Sequence, residues 1–112
     1  MASRGTVLVS RRRLGFAAPG AREHFLVVQS DLFADLETVI VAPLVDAGPE
    51  HLGDHLAVPV SRAEAGTAKR QVALIHQLTS ALPSRFESGE AGIALSRTMA
   101  AVDRALRLVL GV

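Results

Sequence analysis

Four histidines, His24, His51, His55 and His76, are the residues of this chain best suited to hold a metal. His51 and His55 stand four apart, as in a helical ligand pair, but Gly53 between them opposes a helix and Asp54 is the only nearby carboxylate. Structural zinc needs about four ligands and catalytic zinc about three, so this segment reads as loop polarity, with no metal. His24 and His76 fall inside strand-like runs, where a partly buried imidazole holding one hydrogen bond is expected. Ser, His and Asp are all present, yet the chain has no Gly-x-Ser-x-Gly turn and no Gly-rich loop followed by Lys and a hydroxyl residue. No hydrolase or nucleotide-binding signature follows, and no cofactor is expected.

Three features suit binding better than catalysis. The triplet Arg11-Arg12-Arg13 can meet phosphates or an acidic peptide, or simply be a solvated loop. Leu32 and Phe33, flanked by Asp31 and Asp35, are expected to form a flap over the core, with an exposed apolar contact as the alternative. At the chain's end, Leu108 to Val112 is unusually apolar for a terminus; it either completes the core face of a helix or makes a binding knob.

With 112 residues, 49% of them hydrophobic, the chain is sized for one domain spanning 1–112. Twelve Lys+Arg against eleven Asp+Glu leave a net charge of +1, which gives no strongly basic nucleic-acid footprint. There is no cysteine, hence no disulfide framework and no thiolate nucleophile. The longest apolar runs fall short of the roughly 18 residues that a membrane helix needs. No apolar core of signal-peptide length stands near the start, so a cytoplasmic protein is expected.

The elements that must position these residues are mostly strands. Thr6 to Ser10, His24 to Gln29 and Thr38 to Ala42 are β-rich runs, the first followed by a Gly- and Arg-containing loop. The eight-residue connection between the second and third suits antiparallel neighbours. Leu56, Val58 and Val60 alternate with Ala57 and Pro59 and predict a half-buried strand whose proline prefers an edge or a bulge. Gln71 to Leu82 is period-2 at Val72, Leu74, His76, Leu78, Ser80 and Leu82, and predicts one long strand. Leu95, Met99, Val102, Leu106 and Val109 step by three and four, predicting a helix from Ser96 to Leu110 with Ser96 as its N-cap.

The run His24-Phe25-Leu26-Val27-Val28-Gln29-Ser30-Asp31-Leu32-Phe33, followed by Val39-Ile40-Val41-Ala42-Pro43-Leu44, resembles the CcdB toxins of bacterial toxin–antitoxin modules, within the CcdB/MazF superfamily. Likeness continues at His55-Leu56, at Gln77 to Pro83, at Leu95-Ser96-Arg97 and in the closing helix with its terminal Gly-Val. That resemblance implies a mainly β fold, an SH3-like antiparallel β-barrel with a C-terminal α-helix, assembled as a homodimer. It further implies a protein that is not an enzyme and does not bind nucleic acid directly, but poisons DNA gyrase by lodging against its A subunit and trapping cleaved DNA. Carried over residue by residue, the gyrase contacts would be Ser30, Leu32, Phe33, Leu106, Leu110, Gly111 and Val112. Arg11, Arg12 and Arg13 would take the acidic tail of a CcdA-like antitoxin. Leu110 stands where that family often has Trp.

Two alternatives stay beside this one. A MazF-like endoribonuclease shares the barrel, but its chemistry needs an Arg-Pro pair opening the second strand and a Thr just after Pro-Leu. Those places here read Glu23-His24, with Arg22 one residue early, and Val45-Asp46. The other is a dimeric antitoxin-binding module without a target.

Overall fold

The computed structural model describes residues 2–17 and 19–112. Seven strands form one curled antiparallel sheet: β1 (Thr6–Val9), β2 (His24–Val27), β3 (Val39–Asp46), β4 (Ala57–Val60), β5 (Gln71–Leu74), β6 (Thr79–Ala81) and β7 (Gly92–Ile93). Their order is β4-β5-β3-β2-β1-β7, with β6 also pairing β3. A short helix, α1 (Arg62–Ala65), and the C-terminal helix, α2 (Ser96–Leu110), complete the fold. The result is a half-barrel closed by a C-terminal helix, the mainly β architecture expected above. Among the described residues no helix is long and apolar enough to cross a membrane.

The central strands are apolar on both faces because both faces are covered. Val7, Leu26, Ala42, Leu44, Val58 and Ala73 form one core with Met99, Val102 and Ala105 of α2. The opposite face carries Leu8, Phe25, Val27, Val41 and Phe86, covered by Leu14 and Phe16 from the β1–β2 connection. Phe25 is fully buried and makes edge-on ring contacts with Phe16 at 5.8 Å and Phe86 at 5.7 Å. Burying such a side chain contributes about 1.5–3 kcal/mol. This double burial is why Phe25 to Val28 reads as an unbroken apolar run instead of an alternation.

Three expectations need correction. The long strand over Gln71 to Leu82 is two strands, β5 and β6, separated by a 3-10 turn at Ile75–Gln77. The cause lies across the sheet. On its outer edge β3 pairs with β6 through Val39 to Val41 and with β5 through Leu44 to Asp46. Pro43 falls in the gap, where a residue without an N–H leaves no ladder bond unmade. His76 is therefore exposed in a turn and not in a strand. Ser96 is the first residue of α2 and not its cap: Leu95 is the N-cap and has no capping side chain. Instead Glu64 Oε2 accepts from Leu95 N at 2.8 Å. Finally, the polar excursion after β4 contains α1, started by a reciprocal Ser61/Glu64 cap that the Ser-x-x-Glu spacing encodes. The expected strand with Pro59 is found at an edge: β4 ends the sheet.

Candidate functional site

The β1–β2 connection is built around one buried carboxylate. Glu23, only 3% exposed, accepts from the backbone N–H groups of Leu14, Phe16 and Ala17. Burial pushes this carboxyl up, but the three N–H donors and the nearby Arg13 outweigh it and leave the group below its ordinary value. Arg13 turns inward as well, donating to the carbonyls of Ala17 at 2.7 Å and Ala21 at 3.1 Å. The chain is thereby folded back over Phe25 with its remaining arginines outward. Arg11 and Arg12 are exposed, and no hydrogen bond or ion pair engages their guanidinium groups among the described residues. Arg22 pairs with Glu87. These groups and Ser10 surround a recess of about 200 Å³. Four guanidiniums against two carboxylates, one of them sealed, make it an anion-attracting site.

His24 opens β2, paired with Val9 on β1 and Leu44 on β3, and is not among the residues that line the recess. It is half-buried. Burial is the main influence lowering its pKa, with the Arg22 charge adding to it and the Arg22 backbone and Glu87 opposing.

The register sets Glu23 one step beyond the His24–Leu44 pair, opposite Val45, which itself pairs with Val72. The two positions that an Arg-Pro/Thr ribonuclease signature would use are thus neighbours across β2 and β3, as that chemistry needs. Here they hold a sealed carboxylate and an aliphatic side chain. Asp46 is held by Gln71 Nε2 at 2.8 Å.

The other sequence-selected residues gather at the far end of β2. The 3-10 turn Asp31–Phe33 leaves Leu32 86% and Phe33 55% exposed, so the expected flap is an exposed apolar contact. Its shape comes from the preceding residues. Gln29 Nε2 donates to the Phe33 carbonyl and its Oε1 accepts from Ile40 N, while Ser30 Oγ accepts from Leu32 N. Arg4 N donates to Asp31 at 2.7 Å, and the Arg4 side chain donates to the Val28 carbonyl and to Asp103 of α2. The turn is in this way tied to the helix. Leu106 packs partly against the core, whereas Leu110, Gly111 and Val112 lie outside it. The helix ends by a left-handed Gly111 with both last N–H groups on the Arg107 carbonyl. The structure does not bring this apolar group together with Arg11, Arg12 and Arg13. His51 Nδ1 accepts from Gly48 N within its own turn, and His55 is exposed.

Residues 16–110 match the family model of the PemK-like, MazF-like toxins of type II toxin–antitoxin systems. No curated protein matches the chain by sequence. Among solved structures, an endoribonuclease in complex with its cognate antitoxin from a mycobacterial species superposes with a TM-score of 0.77 at 16% identity, over 100% of this chain and 97% of that one. The Mycobacterium tuberculosis toxin MazF-mt6 gives 0.75 at 15% identity, covering 96% and 97%. A Deinococcus radiodurans MazE-MazF structure gives 0.71 at 20%, covering 98% and 96%.

These findings correct the CcdB assignment, and with it the gyrase-poison function, the gyrase A subunit as partner, the non-enzymatic character and the absence of nucleic-acid binding. The misdirection has a physical source. The residues that carry the resemblance are those that fill the sheet and shape the turn, Val27 and Val28 in the cores and Gln29, Ser30 and Asp31 in the turn's hydrogen bonds. Such residues report an architecture common to the superfamily, not an activity. The chain belongs to the family of PemK-like, MazF-like toxins of type II toxin–antitoxin systems.

Proposed function

We propose that this protein is a MazF-like endoribonuclease toxin that cuts single-stranded RNA in the cytoplasm, with the recess at the β1–β2 connection as its phosphate site. The observation that carries the reading is the pair of unengaged guanidiniums, Arg11 and Arg12, on a self-closed loop beside the sheet positions where the fold's ribonuclease signature would stand. Fixed cations on a held backbone stabilise a phosphate that gains charge during transfer. The same groups suit the acidic segment of an antitoxin, which would silence the toxin by competing with RNA. The exposed apolar residues Leu32, Phe33, Leu110 and Val112, with Ser30, Gly111 and the half-buried Leu106 beside them, are reassigned from gyrase to a second copy of the chain, since a two-fold axis would cover them.

The test is a cleavage assay on single-stranded RNA, run beside a gyrase supercoiling assay. Expected are RNA fragments with 5′-hydroxyl ends and unchanged supercoiling. Changing Arg11 and Arg12 together to Ala should weaken RNA binding and lower the salt slope by about 1.4, at about 0.7 per lost single-strand phosphate contact. RNA left intact at stoichiometric protein would overturn the reading.

A further inference from the structure

A groove of about 620 Å³ opens at the β4 end of the sheet. Pro59 of β4 and Val72 of β5 line it, together with Pro49 and Leu52 of the β3–β4 connection. Leu52 is 84% exposed, an apolar side chain left at the mouth of an apolar groove. Arg70 and Arg97 line the same groove, and Arg62 and Lys69 stand with Arg70 around an adjoining hollow. No hydrogen bond or ion pair engages the guanidinium groups of Arg62, Arg70 and Arg97 among the described residues. The carboxylates nearby are mostly engaged. Glu64 is buried and accepts from Ser61 and Leu95 N, Asp46 accepts from Gln71 Nε2 and lies 3.9 Å from Lys69, and Asp54 accepts from Leu56 N; Glu50 stands beside His51. Arg97 falls in the first turn of α2, the end of a helix that disfavours a cation, and no acidic residue shares that turn.

The chemistry of the groove discriminates between occupants. A second copy placed by a two-fold axis through the groove would set these cations against themselves. It would also find no strand to pair with. Ile75 N donates to Leu56 O, so the alternation turns the backbone groups of Ala57 and Pro59 to the open edge. There Ala57 N is already on the Asp54 carbonyl and Pro59 has no N–H. Single-stranded nucleic acid is held on aromatic platforms, and no Phe of this chain lines the groove. An acidic peptide with a bulky apolar side chain answers both the apolar lining and the cationic rim.

We propose that this groove docks an acidic peptide segment, with an apolar side chain against Leu52, Pro59 and Val72 and carboxylates on Arg62, Arg70 and Arg97. The proposal stands whether or not the protein cuts RNA. Pro59 pairs with Val72 and Val72 with Val45, so β5 and β3 separate the groove from Glu23 and the recess, and mutation can address the two apart.

Selection of wild-type binders from a displayed library of random dodecapeptides tests it, followed by fluorescence anisotropy with the tightest peptide. The selected peptides should be net negative and carry a bulky apolar residue. Changing Arg70 and Arg97 together to Ser should weaken binding about tenfold, for two exposed charge pairs lost, and Leu52→Ser should weaken it as well. Arg11 and Arg12 changed together to Ala should leave it as it is. Neutral or basic peptides, no selected peptide, or equal affinity for the Arg70/Arg97 variant overturns the proposal. An oligouridine that binds less well to that variant, but equally to the Arg11/Arg12 variant, overturns it in favour of nucleic acid. A changed sedimentation coefficient of the Arg70/Arg97 variant overturns it in favour of a second copy. Should that variant fail to fold, backbone amide shifts of the wild type decide: the peptide should move Leu52, Ala57, Val72 and Arg97, and shifts confined to residues 11–22 overturn the docking.

Discussion

Glu23 and Glu64 are two buried carboxylates in the same small protein, and they do opposite things. Each is pushed up by burial and pulled below its ordinary value by hydrogen-bond donors. Glu64 accepts from Ser61 N and Oγ and from Leu95 N, and so joins α1 to the start of α2. Its surroundings are filled: a Cβ on Gly92 would sit 1.9 Å from the Glu64 carbonyl oxygen, and one on Gly66 2.1 Å from that of Ala91. Glu23 gathers only its own loop, and nothing lies within 4 Å of a Cβ built on Gly15 or Gly20. The same chemistry locks separate elements in one place and, in the other, shapes a loop that keeps its outer side for a ligand. What surrounds a buried charge decides which role it has.

That contrast can be broken. The largest effect belongs to Gly92→Ala, where backbone must move on both sides; a loss of about 3 kcal/mol is expected by urea unfolding. A loss below about 0.5 kcal/mol would show that the packing around Glu64 gives way easily. Next is Glu64→Gln, which turns an N–H donor toward groups that themselves donate. It should cost about 2 kcal/mol of global stability.

Glu23→Gln removes as many hydrogen bonds, but its loop can open to water, so only about 1 kcal/mol of global stability is expected to go. Amide exchange should speed up in residues 14 to 17 and not in α2. Equal losses for the two Gln variants would end the distinction. The pH dependence sharpens it. Both carboxyls titrate lower in the folded chain than in the unfolded one, so the unfolded chain binds more protons in acid. The stabilisation is complete above the ordinary carboxylate range and is lost as pH falls through the lowered folded values. Unfolding curves at pH 7, 4 and 3 should show a shallower acid loss in each Gln variant, and the larger change for Glu64→Gln.

Much of the scaffold was legible in the sequence, since periodicity reports burial directly. The spacing of Met99 and Val102 placed α2 at its observed limits, and Pro59 marked an edge strand. The break at Ile75 was not legible locally, because its cause is Pro43, which is distant in sequence. The Ser61/Glu64 cap was written plainly and passed over in favour of the loop-like composition around Gly66. For the site, Arg11, Arg12 and Arg13 were singled out as an antitoxin contact, but Glu23 appeared only as a residue standing where a ribonuclease signature needs another. Its three N–H partners depend on a loop fold that no spacing encodes. The activity was misread because the most distinctive segment, Val27 to Asp31, builds the turn.

Pro43 also says where β3 changes its outer neighbour. The strand leaves β6 and takes up β5 across the residue with nothing to donate, so the exchange strands no N–H between the two partners. The handover is thus written by an omission in the backbone, and a residue restoring the missing donor would leave it facing the Ile75 turn with no ladder acceptor prepared.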